Sequence, residues 1–126
     1  MELQGFEKFT KAGKSFNPKI SIRQRGQIGF NAGAVNRFKL DENIYVVMYY
    51  SREQQKIAFR FTADGKEEGA IKIVDKPSNY YFSGKTFLDY YEIPYEKTAS
   101  YDVDWDGEKK IAIISLIRKA GEQAES

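Results

Sequence analysis

Alternation between apolar and polar residues divides this chain into short segments. Ile20 and Ile22 alternate with Ser21 and Arg23, the pattern of a half-buried strand. Arg23 to Gln27 reads as a turn in which Gly26 can take positive φ, and Ile28-Gly29-Phe30 is the returning strand. Asn31 then stands at a helix N-cap, and Ala32 to Lys39 has helical spacing with Ala34, Val35 and Phe38 turned inward. Gly33 weakens that helix by roughly 0.8–1 kcal/mol relative to Ala, so tertiary packing must hold it. Ile44 to Tyr50 is a nearly unbroken apolar run, which predicts a strand covered on both faces, and Lys56 to Phe61 returns antiparallel to it. Asp64-Gly65 predicts a hairpin with Ala70 to Val74 as its far strand, and Asp75 to Asn79 reads as a linker.

The second half repeats the grammar. Tyr80 to Phe82 is a strand, Ser83 an N-cap, and Gly84 to Tyr91 a short helix stopped by Pro94. Tyr101, Val103 and Trp105 share one face of a strand, with Asp102 and Asp104 on the other. Asp106-Gly107 supplies a hairpin turn into the closing strand, Lys110 to Ile117. Phe30-Asn31 matches Phe82-Ser83 at an offset of 52, Phe38-Lys39-Leu40 matches Tyr91-Glu92-Ile93 at 53, and Lys56-Ile57-Ala58 matches Lys110-Ile111-Ala112 at 54. A slowly growing offset is what a duplication with two loop insertions leaves. The expected fold is a β-rich α+β domain of two pseudo-symmetric β-α-β-β halves, 20–74 and 80–118, forming a swapped-hairpin-like barrel or sheet. A basic arm (1–19) precedes it and a polar tail (119–126) follows.

Composition narrows the chemistry. With no Cys and no His, disulfides, thiolate metal sites, His-containing zinc sites and Ser-His-Asp or Cys-His catalysis are all excluded. Charge interrupts Met1 to Asn17, and no apolar run approaches the ~20 residues of a membrane span, so the protein is expected to be cytoplasmic with no membrane partner. The net charge of +2 is unevenly placed: residues 1–40 hold eight Lys/Arg and two acids, residues 41–126 twelve and sixteen. A basic first third suggests an anionic partner.

The run GQIGFNAGAVNRFKL resembles the core motif of the AbrB/SpoVT/MraZ swapped-hairpin superfamily. Gly26 stands at the motif glycine, Ile28 and Phe30 at its strand apolars, Ala34 and Phe38 at the helix leucines, and Leu40 at the closing aliphatic. The resemblance runs through the hairpin ending at Phe61 and a second time from Tyr80 to Leu116. The chain departs from the motif at its proline (Asn31, then Ser83), at the basic residue after the glycine (Gln27) and at the glycine of Leu-Gly-Ile (Lys39, then Glu92). The resemblance implies DNA binding by arginines around the first strand turn and helix, which places Arg23, Arg25 and Arg37 in that role.

Independently of family, Arg forks suit phosphate and guanine edges, and Lys14, Lys19 and Lys39 would add backbone contacts. The expectation is a DNA-binding transcription regulator, a homo-oligomer, with Lys14, Lys19, Arg23, Arg25, Arg37 and Lys39 on the nucleic acid. The alternative is a non-enzymatic oligomeric structural or protein-interaction module. No cofactor, metal or small-molecule substrate is expected. Asp102, Asp104, Asp106 and Gly107 open like an EF-hand loop, but Lys109 and Ile113 fail its later positions. Tyr80, Tyr81, Tyr90, Tyr91, Tyr95 and Tyr101 read as half-buried strand and helix positions, not a base-stacking platform, because no basic residues are interleaved. No glycine-rich phosphate loop or recognisable acid–base pair points to an enzyme.

Overall fold

The computed structural model describes residues 4–5, 17–76 and 79–117. The N-terminal arm beyond these, including Lys14, and the tail after Ile117 lie outside the described residues. In chain order the elements are β1 (Lys19–Ile22), β2 (Gln27–Phe30), α1 (Ala32–Phe38), β3 (Tyr45–Ser51), β4 (Lys56–Thr62), β5 (Ile71–Lys72) and β6 (Val74–Lys76). There follow β7 (Asn79–Ser83), α2 (Lys85–Tyr90), β8 (Ala99–Asp102), β9 (Asp104–Asp106) and β10 (Ile111–Ser115). They form two antiparallel five-stranded sheets, ordered β6-β7-β2-β1-β8 and β5-β3-β4-β10-β9. The fold is therefore β-rich α+β, and neither sheet closes on itself.

Period-two alternation explains the core. Directly opposed residues of an antiparallel pair point to the same face. In the first sheet Ile20, Ile28, Phe30 and Phe82 thus point inward, and in the second Val46, Ile57, Phe59, Phe61 and Ile114; all are buried. Aromatic rings join the two inner faces: Phe30 lies 5.7 Å from Phe61, and Phe59 lies 6.4 Å from Phe82. The helices close the two ends of the second sheet. Phe38 of α1 packs 5.0 Å from Phe61 and 4.4 Å from Trp105. From α2 and the residue after it, Phe87 and Tyr91 pack 6.3 and 4.8 Å from Tyr50, at the far end of β3.

Four local expectations are corrected. Ser83 does not cap α2, because it stays in β7 opposite Gln27; Gly84 occupies the N-cap and offers no side chain. A Cβ at Gly84 would collide with the Ile28 side chain, so the site excludes the usual capping residues. By contrast Asn31 does cap α1, its Oδ1 accepting from the backbone N–H of Ala34 at 2.8 Å. Residues 70–74 are not the partner of β4: β10 occupies that edge, and β5 pairs with β3 instead. The Asp75 to Asn79 stretch is no linker at its ends, since Asp75 and Lys76 lie in β6 and Asn79 in β7.

Strand Tyr101 to Trp105 is two strands, because the chain turns at Val103 from β8 in the first sheet to β9 in the second. At Ile73 it passes likewise from β5 to β6. Each corner joins one edge of each sheet. The Ile44 to Tyr50 run is covered on both faces over part of its length: outside, the 63–70 loop lies over Tyr45 and Val47, whereas Tyr49 remains 47% exposed.

Candidate interaction surfaces

Two outer faces and one groove collect the functional side chains. The outer face of the first sheet carries Val74 and Tyr81 on β6 and β7, and elsewhere polar side chains laced by their own partners. Lys19 Nζ donates to Asp102 Oδ1 at 2.7 Å across β1 and β8, and the hydroxyls of Ser21 and Ser100 lie 2.9 Å apart. Arg23 extends over Gly29, whose missing side chain leaves the bed for the guanidinium. There Nη1 donates to Gln27 Oε1 at 2.7 Å and to Asn79 Oδ1 at 3.3 Å.

The turn Gln24–Gly26 carries Arg25 at φ 73 and Gly26 at φ 80. Its neighbours are mostly structural. Gln24 donates its backbone N–H to Thr98 Oγ1 at 3.2 Å and its Nε2 to the Glu96 carbonyl at 3.0 Å. Gly26 accepts from the Gly84 N–H at 2.9 Å. The turn thus clamps the start of α2 and the 96–98 loop. Arg25 is exposed beside a groove of ≈ 650 Å³ whose other charged walls are Asp89, Glu92 and Glu96.

On that groove Lys85 Nζ donates to Asp89 Oδ2 at 2.8 Å and the Tyr95 hydroxyl donates to Asp89 Oδ1 at 2.7 Å. Those two hydrogen bonds, the one from Lys85 first, hold the Asp89 carboxyl below the ordinary carboxylate range. The bond to Asp89 likewise leads the upward shift of Lys85.

Arg37 and Lys39 are exposed at the end of α1, Lys39 as a left-handed C-cap at φ 54. Of the sequence-predicted site residues, Arg37 and Lys39 therefore lie together. Lys19 and Arg23 share the outer face of the first sheet but hold protein partners there. Arg25 stands on the groove beside α2, and Lys14 lies outside the described residues.

The outer face of the second sheet was not singled out by sequence, and it differs in kind. Register places Tyr49, Ala58, Ile113 and Asp104 in one row across β3, β4, β10 and β9. Val47, Arg60, Ile111 and Asp106 form the next, and Lys72 stands opposite Tyr45 on β5. Ala58, Ile111 and Ile113 keep partial exposure. The one cation amid these rows, Arg60, is neutralised in place: it forms an ion pair with Glu67, and its Nε and Nη2 donate to the Tyr49 hydroxyl at 3.2 Å. The hydrogen bond to Glu67 is the main cause that raises its pKa.

The aspartates resembling a calcium loop divide between the sheets. Asp102 pairs with Lys19, and Asp106 Oδ1 accepts from the N–H groups of Glu108 and Lys109 in the hairpin turn. Among the described residues no group of three or more acidic side chains is placed to hold a metal ion, and no helix is long and apolar enough to cross a membrane. Tyr101 is buried in the core, Tyr91 packs on Phe87 and Tyr50, and Tyr90 is exposed. Compared with family models, curated proteins and solved structures, the chain matches none of them.

Proposed function

We propose that this chain is a non-enzymatic protein-interaction module built from two swapped-hairpin-like halves, and that it works through the outer face of its second sheet. The single observation that carries this reading is the apolar row on that face, Tyr49-Ala58-Ile113, continuous across three strands. An exposed apolar row crossing several strands marks an interaction surface more often than solitary exposed residues do.

Duplication is supported by backbone details that recur 53 residues apart. The Val35 N–H bonds to the Asn31 carbonyl and that of Leu88 to Gly84; the Leu40 N–H bonds to Val35 and that of Ile93 to Leu88. Lys39 and Glu92 both take left-handed φ, 54 and 57, at the two positions where the swapped-hairpin motif has glycine. A glycine there would adopt that conformation without a Cβ penalty.

A photo-crosslinking residue at Ala58, compared with one at Ser100 on the polar sheet, tests the assignment. Cross-linked protein is expected from Ala58 alone, and equal labelling from both positions would overturn it. The reading of the chain as a DNA-binding regulator rests on Arg25, Arg37 and Lys39, which remain exposed. A salt-sensitive shift of duplex DNA that is lost in Arg25→Ala and kept in Ile113→Lys would move the function to the basic residues.

A further inference from the structure

At one end of the molecule the two inner faces part and leave a cavity of ≈ 340 Å³ between them. Ala99 and Tyr101 reach it from β8, opposite Ile22 and Ile20 of the core, and Tyr50 reaches it from β3, opposite Ile57. Leu116, two residues beyond the buried Ile114, and Ile93 complete the apolar wall. Protein interiors normally close such voids, and this one falls at the lower end of the about 300–1,000 Å³ typical of small-ligand pockets. We propose that it binds a neutral sugar of one or two rings. The site lies apart from the outer face of the second sheet, so the inference goes beyond the interaction-module reading without resting on it.

The walls are held by the fold itself. The Ile93 N–H bonds to the Leu88 carbonyl at 2.8 Å, and the Leu116 N–H bonds to the Gln55 carbonyl at 2.9 Å. The Glu96 carbonyl accepts from Gln24 Nε2 at 3.0 Å, which ties the 92–97 loop to the first sheet's turn. The Tyr50 ring is wedged 4.8 Å from Tyr91 and 6.3 Å from Phe87. Walls fixed in this way lose little freedom when a ligand enters.

The rim sets the class of ligand. Glu92 and Glu96 bring two carboxylates and Lys97 one ammonium, all exposed. Among the described residues none of these three side chains holds an ion pair or a hydrogen bond. An anion would meet the two carboxylates, and an amine would meet Lys97. A neutral polyol uses all three, its hydroxyls donating to the carboxylates and accepting from the ammonium. Gln55 Nε2 donates to the Tyr50 hydroxyl at 3.2 Å, which leaves that hydroxyl's own proton for a ligand oxygen. Beneath the rim, the apolar C–H face of a sugar ring would pack on the Tyr50 ring and Leu116.

Amide NMR of the full chain, titrated with maltose and with cellobiose into the tens of millimolar, tests the site. Saturable shifts are expected at Gln55, Ile93, Ala99 and Leu116 with at least one of the two sugars. The dissociation constant should be about 0.1–10 mM, because hydrogen bonds exchanged with water yield a small net gain. Glu96→Ala and Lys97→Ala should each weaken binding by about threefold to tenfold while leaving the thermal transition unchanged. Ala99→Leu, which fills the cavity from an inward position, should abolish binding in a chain that still folds.

No saturable shift at those amides with either sugar overturns the inference. So does binding that is indifferent to both Glu96→Ala and Lys97→Ala. Benzylamine that binds more tightly than the sugars, and more tightly still in Lys97→Ala, overturns it in favour of an amine site. Benzoate that outbinds the sugars and is lost in Lys97→Ala overturns it in favour of an anion site. None of these outcomes bears on the Ala58 cross-link, so the interaction face stands or falls separately.

Discussion

The two sheets have the same interior and different exteriors. Inward positions of both are Ile, Val and Phe, as period-two burial requires. Outward, the first sheet carries a Lys19–Asp102 ion pair, a Ser21–Ser100 contact and Arg23 laid over Gly29. The second carries Tyr49, Ala58, Ile111 and Ile113 with a single internally neutralised cation among them. Alternation alone would class both outer faces as solvent-facing. The difference teaches that charge in the sequence is a poor guide to a free charged surface. The arginine that most attracts attention, Arg23, is held by its own protein, while the second sheet keeps the apolar row Tyr49-Ala58-Ile113 partly exposed.

The contrast can be broken at the point where each face is tightest. Gly29→Val should displace the Arg23 guanidinium and cost about 1–1.5 kcal/mol, chiefly the hydrogen bonds that the arginine gives up. Ala58→Val, the same kind of enlargement on the open face, should change stability by less than about 0.5 kcal/mol. Chemical denaturation of the two variants measures both, and equal losses would dissolve the distinction between a filled face and an open one. Arg23→Ala should cost less, about 1 kcal/mol, because it removes a part-buried hydrogen bond and leaves Gln27 and Asn79 accessible to water. Chemical denaturation measures this loss too, and an unchanged midpoint would mean that those hydrogen bonds do not hold the arginine in place.

The smallest effect concerns Asp89. Because its folded pKa is depressed, the stabilisation it contributes is present above the ordinary carboxylate value of ~3.9 and is lost as pH falls through the lower folded value. Both partners are exposed, so the effect on the melting curve should be slight. Carbon-detected NMR titration should find the Asp89 midpoint higher in Lys85→Met than in wild type, and higher in Tyr95→Phe by a lesser amount. No displacement in Lys85→Met would detach the carboxylate from that lysine.

Much of the fold was legible because apolar period and capping chemistry are local. The Ile20/Ile22 strand, the turn at Gly26, the Asn31 cap and the Asp106-Gly107 hairpin all appear where the pattern places them. The corners at Ile73 and Val103 were hidden because alternation continues through them: Tyr101 and Trp105 both face the core although they belong to different sheets. The second helix cap was misplaced by one residue, since Ser83 is a good cap by type but remains in the β2–β7 ladder.

The candidate site was harder to read for the same reason. Arg23 and its acceptor Asn79 stand 56 residues apart. Likewise, Tyr49, Ala58 and Ile113 become neighbours only once β10 is known to pair with β4.

That pairing also orders events in time. Neither sheet can be completed from the first half of the chain, because β2 waits for β7, β4 waits for β10, and Lys19 meets Asp102 across 83 residues. A nascent chain that has emerged only through β4 carries four unsatisfied strand edges, on β1, β2, β3 and β4, and an interior open on one side. Long-range pairing of this kind makes folding slow relative to helical domains of the same length. Until β10 leaves the ribosome, the surfaces that later join the two halves of one molecule are free to join two different molecules.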